Sequence, residues 1–177
     1  IEDYTLNSRF NFNLSGGGKI ARYYLASTIN TDNGNLKIDP RNNFNTNIKF
    51  NRISLRSNIN VNLTETTDVA LKFNGNFDDY NGPLDGGALV YQKAMKANPV
   101  LYPKVYEPDA QFQNSTHALY GNYGQFGDYL NPYADLMRGY KDESYNNFLA
   151  TVEIKQKLNF ITEGLNFRIL GNTSRYS

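Results

Sequence analysis

Residues 50–77 read FNRISLRSNINVNLTETTDVALKFNGNF. The odd positions Ile53, Leu55, Ser57, Ile59, Val61 and Leu63 face off against Arg52, Ser54, Arg56, Asn58, Asn60 and Asn62. Beyond TETTD the alternation resumes, with Val69, Leu71, Phe73 and Phe77 set against Lys72, Asn74, Asn76 and Asp78. Successive side chains of an extended chain point to opposite faces, so this period predicts strands with one apolar and one polar side. The stretch reads as a hairpin around a short polar turn.

The same alternation runs through most of the chain and predicts about six strands, over residues 4–14, 20–30, 50–63, 68–80, 145–159 and 165–176. The first turn, SGGGK at 15–19, invites a phosphate-cradle reading. A P-loop needs GxxxxGK[ST] running into a helix, whereas Lys19 is followed by Ile20 and a strand. The glycines are expected to serve a tight hairpin by accepting positive φ. Parity shifts between Ile48/Phe50 and Ile53/Leu55, for which a β-bulge is the expected cause.

Composition narrows the function. A net charge of +1 supplies no field for nucleic acid, so none is expected as a partner. The chain has no cysteine, hence no disulfide scaffold, Cys-ligated zinc or Cys nucleophile. His117 is the single histidine and has no visible nucleophile to serve, so the chain is expected not to be an enzyme. No cofactor is expected. The acidic residues Asp78, Asp79 and Asp85 around NGPL offer oxygen ligands of the kind calcium takes, without EF-type spacing.

Several strands are longer than the ~5–6 residues usual in soluble domains and approach the ~9–11 needed to cross a bilayer at a tilt. The connections alternate short and long, the long ones being 31–47 and 81–144. Short turns at one end and long loops at the other are the habit of outer-membrane barrels. The expectation is therefore an all-β chain, an arc of an antiparallel transmembrane β-barrel. The apolar row Phe10, Phe12, Leu25, Leu55, Ile59, Leu71, Phe73, Val152, Ile154 and Phe167 would face lipid. The polar row Arg22, Arg52, Arg56, Asn58, Lys72 and Asn74 would face the lumen. Tyr4, Phe50, Phe77 and Tyr145, with Phe160 and Phe167, are candidates for interfacial aromatic girdles. The alternative is a soluble secreted β-sandwich that binds carbohydrate, which also has polar-out alternation and loop tyrosines.

The order of motifs carries a resemblance. NSRFNFNLSGG, ARYYLAST and NTDNGNL, then the hairpin of 50–77, then NPVLYP and NPYADLMRGY, resemble the early barrel region of SusC/RagA-type TonB-linked outer-membrane transporters. Within the hairpin Phe50, Arg52, Arg56, Asn58, Leu63 and Thr64 occupy the positions that carry the likeness. The family often shows plain Asp-Gly where this chain has Asp32-Asn33-Gly34. The resemblance implies a plugged barrel of about 22 strands that imports oligosaccharides, or other large nutrients such as peptides, across the outer membrane of a Gram-negative bacterium. It implies a SusD-like surface lipoprotein as lid, TonB as the energising partner, and outer-membrane lipid around the wall. Residues 1–177 would be one partial barrel domain, an excerpt from a longer chain without its plug and remaining barrel. It would supply wall, lumen lining and part of the extracellular mouth. Arg22, Arg52, Arg56 and Asn58 are then expected to pair with the plug rather than with substrate.

The second long connection holds a predicted short helix at 85–98, capped by Asp85, with Ala88, Tyr91 and Met95 on its packed face. Tyrosines among Gly, Asn and Asp suit a surface that stacks on sugar rings and bonds hydroxyls. Tyr102, Tyr120, Tyr123, Asp128 and Tyr129 are the expected contacts for ligand or lid.

Overall fold

The computed structural model describes residues 1–124 and 131–177. It is mostly antiparallel β structure. Six long strands form one open sheet in the order β1 (Ser8–Gly17), β2 (Ala21–Asn33), β3 (Lys49–Asn62), β4 (Thr67–Pro83), β7 (Tyr140–Lys157) and β8 (Asn166–Tyr176). Between β4 and β7 lie α1 (Gly87–Lys96), the two-stranded ribbon of β5 (Val105–Tyr106) with β6 (Leu119–Tyr120), and α2 (Pro132–Leu136). Among the described residues no helix is long and apolar enough to cross a membrane, which says nothing of a β-barrel.

The chain divides into two compact units. A sheet unit comprises Leu6–Asp32, Phe50–Asp79 and Glu143–Ser177. A loop unit comprises Ile1–Thr5, Asn33–Lys49 and Tyr80–Asp142.

In the sheet unit, β1 and β2 pair so that Phe10 faces Ile29, Phe12 faces Ser27 and Leu14 faces Leu25. On β7 and β8, Ile154 faces Ile169 and Lys155 faces Arg168. Phe73 on β4 stacks on Phe148 on β7, which joins the apolar rows of those strands on one side. Arg52 bonds Asp78 and Ser54 bonds Asn76, which joins the polar rows on the other. Six strands thus share one phase, and each face is continuous in chemistry.

Several expectations need correction. The first strand begins at Ser8 rather than residue 4, because the preceding segment bonds elsewhere: Glu2 N–H donates to Asn35 and the Thr5 hydroxyl to Asn33. The SGGGK turn is a hairpin, closed by Gly18 N–H on the Ala21 carbonyl at 2.7 Å, but none of its glycines has positive φ. Close approach is what Gly16 and Gly17 permit. A Cβ on Gly16 would lie 2.6 Å from the Tyr23 hydroxyl, and one on Gly17 2.8 Å from the Ala21 carbonyl. Positive φ is found at the last hairpin instead, where Gly164 has φ 80°.

The parity shift near residue 50 falls where the chain enters β3. Phe50 keeps step with the even row and lies 5.1 Å beneath the Arg52 guanidinium, while Ile48 precedes β3 and belongs to the loop unit. Tyr145 likewise lines the polar face. Phe50 and Tyr145 therefore do not stand on the apolar side where an aromatic girdle would be. Tyr4 lies outside β1 altogether.

The loop unit has a small core in which Val90, Tyr102, Thr46 and Pro83 are buried. Its helix α1 is shorter than expected and starts after Gly86, with no side-chain cap. Asp85 is drawn instead to Lys93, 3.0 Å away. The packed face is also the reverse of the expected one: Val90 is buried, while Ala88, Tyr91 and Met95 are exposed. Lys93 explains the inversion. It points inward to pair with Asp135 of α2, and Arg138 reaches the same two carboxylates, 3.3 Å from Asp135 and 3.6 Å from Asp85. An ion-paired seam, rather than an apolar stripe, joins the two helices. The sequence reading missed α2, although Asn131-Pro132 is a helix start: the Asn131 side chain accepts from Tyr133 N–H and proline occupies the first turn.

Candidate functional site

The polar face of the sheet unit carries the richest chemistry. It is built by the even residues of β2, β3 and β4 and the odd residues of β7, whose side chains leave three shallow hollows. The first, about 370 Å³, lies among Arg52, Ser54, Asn76, Asp78, Tyr145 and Asn147. The second, also about 370 Å³, shares Ser54 and Asn76 with it and adds Tyr24, Thr28, Arg56 and Asn74. The third, about 470 Å³, is lined by Arg22, Asn60, Asn62, Asp68, Glu153, Lys155 and Lys157. Amides, hydroxyls and guanidinium groups dominate throughout, offering both donors and acceptors.

Two ion clusters order this face. Arg52 grips Asp78 with two parallel bonds, Nε to Oδ1 at 2.8 Å and Nη2 to Oδ2 at 2.7 Å, and is packed from below by Phe50. The two-point fork holds the guanidinium flat against the wall. Glu153 is only 4% exposed and sits beneath three cations: Arg168 at 2.8 Å, Lys155 at 3.2 Å and Lys72 at 3.7 Å. Arg168 Nε and Lys155 Nζ both close on the same oxygen, Oε1, while Lys72 reaches Oε2.

The expected wall residues sort cleanly by parity. Arg22, Arg52, Arg56, Asn58, Lys72 and Asn74 occupy the polar positions of their strands, and Phe10, Phe12, Leu25, Leu55, Ile59, Leu71, Phe73, Val152, Ile154 and Phe167 the apolar ones. Arg52 is spoken for by Asp78. Each member of the acidic trio has its own partner: Asp78 holds Arg52, Asp79 accepts from Ser144, and Asp85 holds Lys93. Among the described residues no group of three or more His, Asp or Glu side chains is placed to hold a metal ion.

The loop unit has its own aromatic cluster. Tyr133 is flanked by the Lys104 ammonium 3.8 Å from its ring centre, by Arg41 at 5.8 Å and by the edge of Tyr120 at 6.0 Å. Its hydroxyl donates to Asp39, and Arg41 pairs with the same carboxylate at 3.0 Å. Hydrogen bonding from Arg41 holds the Asp39 carboxyl below its ordinary range, and Asp39 in turn raises Arg41. In the helix seam, Asp135 and Asp85 raise Lys93, and Lys93 lowers Asp85. Of the expected ligand contacts, Tyr120 is half-buried in the Tyr133 cluster and Tyr123 is exposed. Tyr102 is 5% exposed, so it packs the unit rather than presenting a surface. Asp128 and Tyr129 lie outside the described residues.

Against protein-family models, curated proteins and solved structures, the chain shows no match.

Proposed function

We propose that this chain is a section of wall from a TonB-dependent outer-membrane barrel of the SusC/RagA type, and that the protein imports oligosaccharides or comparably large nutrients. The observation that carries the reading is the pairing of two faces on one sheet. Phe10 (60% exposed), Phe167 (53%) and Val152 (44%) stand bare on one side, while Arg, Lys and Asn crowd the other. A soluble sheet buries its apolar face under a second layer. A barrel wall turns that face to lipid and its polar face to a wet lumen. Arg22, Arg56, Asn58, Lys72 and Asn74 then line the lumen or meet a plug. The long connections contribute to the extracellular mouth, where a SusD-like lipoprotein would close it, and TonB would engage a part of the protein outside these residues.

The absence of cysteine makes the test direct. Single cysteines at Phe10, Leu55 and Val152, and at Arg56, Lys72 and Asn74, are introduced into the protein in outer membranes and labelled with an environment-sensitive fluorophore. The first set is expected to report hydrocarbon and the second water. Water at both sets would overturn the barrel reading and leave the secreted binding module. Uptake of labelled oligosaccharide by cells with and without the protein tests import itself.

A further inference from the structure

The chain twice builds the same three-part contact. Arg52 lies over the Phe50 ring and pairs with Asp78 in the sheet unit, and Arg41 lies over the Tyr133 ring and pairs with Asp39 in the loop unit. The negative face of the ring and the carboxylate both attract the cation, and a guanidinium can stack by its plane while bonding by its edge. A further place in the loop unit has rings and carboxylates without the cation. It is a hollow of about 380 Å³ lined by Tyr106, Glu107, Asp109, Phe112 and Leu119. Tyr106 and Leu119 stand opposite one another on β5 and β6, so their side chains share one face of the ribbon. The turn after Asp109 brings Phe112 to the same hollow, with the Phe112 N–H on Asp109 Oδ1 at 3.0 Å. Both rings are about half bare, Tyr106 at 48% and Phe112 at 45%. Glu107 is exposed and makes no hydrogen bond or ion pair among the described residues. Its charge is felt by Arg41, but Asp39 is the carboxylate that Arg41 holds.

Two rings and two carboxylates, with no lysine or arginine among the described residues of the lining, define the complementary occupant. It must bring positive charge for Glu107 and Asp109 and a flat or apolar surface for Tyr106, Phe112 and Leu119. A bare metal ion meets the first demand alone, since the rings and Leu119 supply no ligand. A neutral sugar stacks on the rings and leaves both carboxylates without a counter-charge. We infer that the hollow is a docking site for an arginine side chain of a peptide, its guanidinium stacked on the Tyr106 and Phe112 rings and paired with Glu107, as Arg52 and Arg41 are stacked and paired within the chain. The space, at the small end of ligand sites, suits one long side chain. The inference goes beyond the proposed importer and rests on the loop unit's own geometry, whether or not the sheet is a barrel wall.

The probe is a fluorescein-labelled peptide, Gly-Ser-Gly-Arg-Gly-Ser-Gly, compared with the same peptide carrying citrulline, a neutral urea of the same shape, in place of arginine. Binding to the purified full-length protein in detergent is read by fluorescence anisotropy. The arginine peptide is expected to bind about tenfold or more tightly than the citrulline peptide, with its affinity falling as salt rises. Glu107→Gln removes a charge that holds nothing in the fold, and is expected to cut that preference to about threefold or less. Phe112→Leu keeps the lining apolar but removes a ring, and is expected to weaken the arginine peptide. Glu163→Gln, on the last hairpin of the sheet unit, is expected to leave the preference unchanged. Equal binding of the two peptides, a full preference surviving in Glu107→Gln, or an equal loss in Glu163→Gln would overturn the site. Binding of neither peptide would overturn it too, as would cellotetraose displacing the arginine peptide at lower concentration than the unlabelled peptide does. The barrel reading fails separately, on the labelling pattern of the apolar face.

Discussion

Phe73 and Phe148 stack across β4 and β7 with ring centroids 6.3 Å apart and planes 25° from parallel, on the apolar side of the sheet. They mark the line along which that face is continuous, from Phe10 on β1 to Phe167 on β8. If the face meets lipid, a charge on it is expensive. Phe10→Arg and Leu55→Arg are each expected to cost about 2–4 kcal/mol near mid-bilayer and about 0–1 near an interface. Urea titration of the protein folded into lipid vesicles measures this, and full tolerance of both would argue for a water-exposed face.

The Arg52–Asp78 fork depends on two donors in one plane. Arg52→Lys is expected to lower thermal stability nearly as far as Arg52→Ala, since an ammonium keeps the charge but loses the parallel bonds and the stacking on Phe50. A lysine variant matching the natural melting temperature would show that charge alone suffices.

Gly164 closes the last hairpin at φ 80°, with its N–H donating to the Asn159 side chain at 3.1 Å. Gly164→Ala is expected to cost about 1–2 kcal/mol from the left-handed backbone alone. Gly18→Ala in the SGGGK turn has ordinary φ and nothing within 4 Å of the added carbon, and is expected to be nearly neutral. Denaturant unfolding of the two variants side by side tests the contrast.

Asn131 does two things for the loop unit: it caps α2 and donates to the carbonyls of Lys104 at 2.8 Å and Gly121 at 3.0 Å. Asn131→Ala is expected to cost about 1–2 kcal/mol for the cap and more for the stranded carbonyls. Asn131→Asp keeps the cap but loses the donors, so the loop unit should still loosen, as read by amide hydrogen exchange of α2 and β6.

The pH response of the loop unit follows from its ion pairs. Asp39 and Asp85 titrate below their ordinary 3.8 in the folded chain, so their contribution is present above that value and is lost as pH falls through the lower folded pKa values. Lys93 titrates above its ordinary 10.5, so its contribution is full below 10.5 and lost as pH rises through the folded pKa. Tyrosine circular dichroism is expected to stay flat from pH 5 to 9 and to change only beyond those limits. Asp85→Asn should remove part of the acid change, and an unaltered acid limb in that variant would count against the helix seam as its source.

The six strands and their two faces were legible in the chain itself, because alternation over ten or more residues is a local property of the extended backbone. Ile53 to Leu63 needs no partner to declare which side chains share a face. Local pattern is silent on what a side chain meets across space. The inward turn of Lys93, set by Asp135 forty-two positions on, reversed the packed face of α1. Phe50 reads as a girdle residue until Arg52 is found stacked on it, and Gly16 and Gly17 serve close approach to Tyr23 and Ala21 rather than positive φ. Parity is set by bonds within a strand, so the sequence alone determines it. Pairing energy between charges depends on distances closed only by folding, so Arg52–Asp78 and the crowded Glu153 were decided by the tertiary structure.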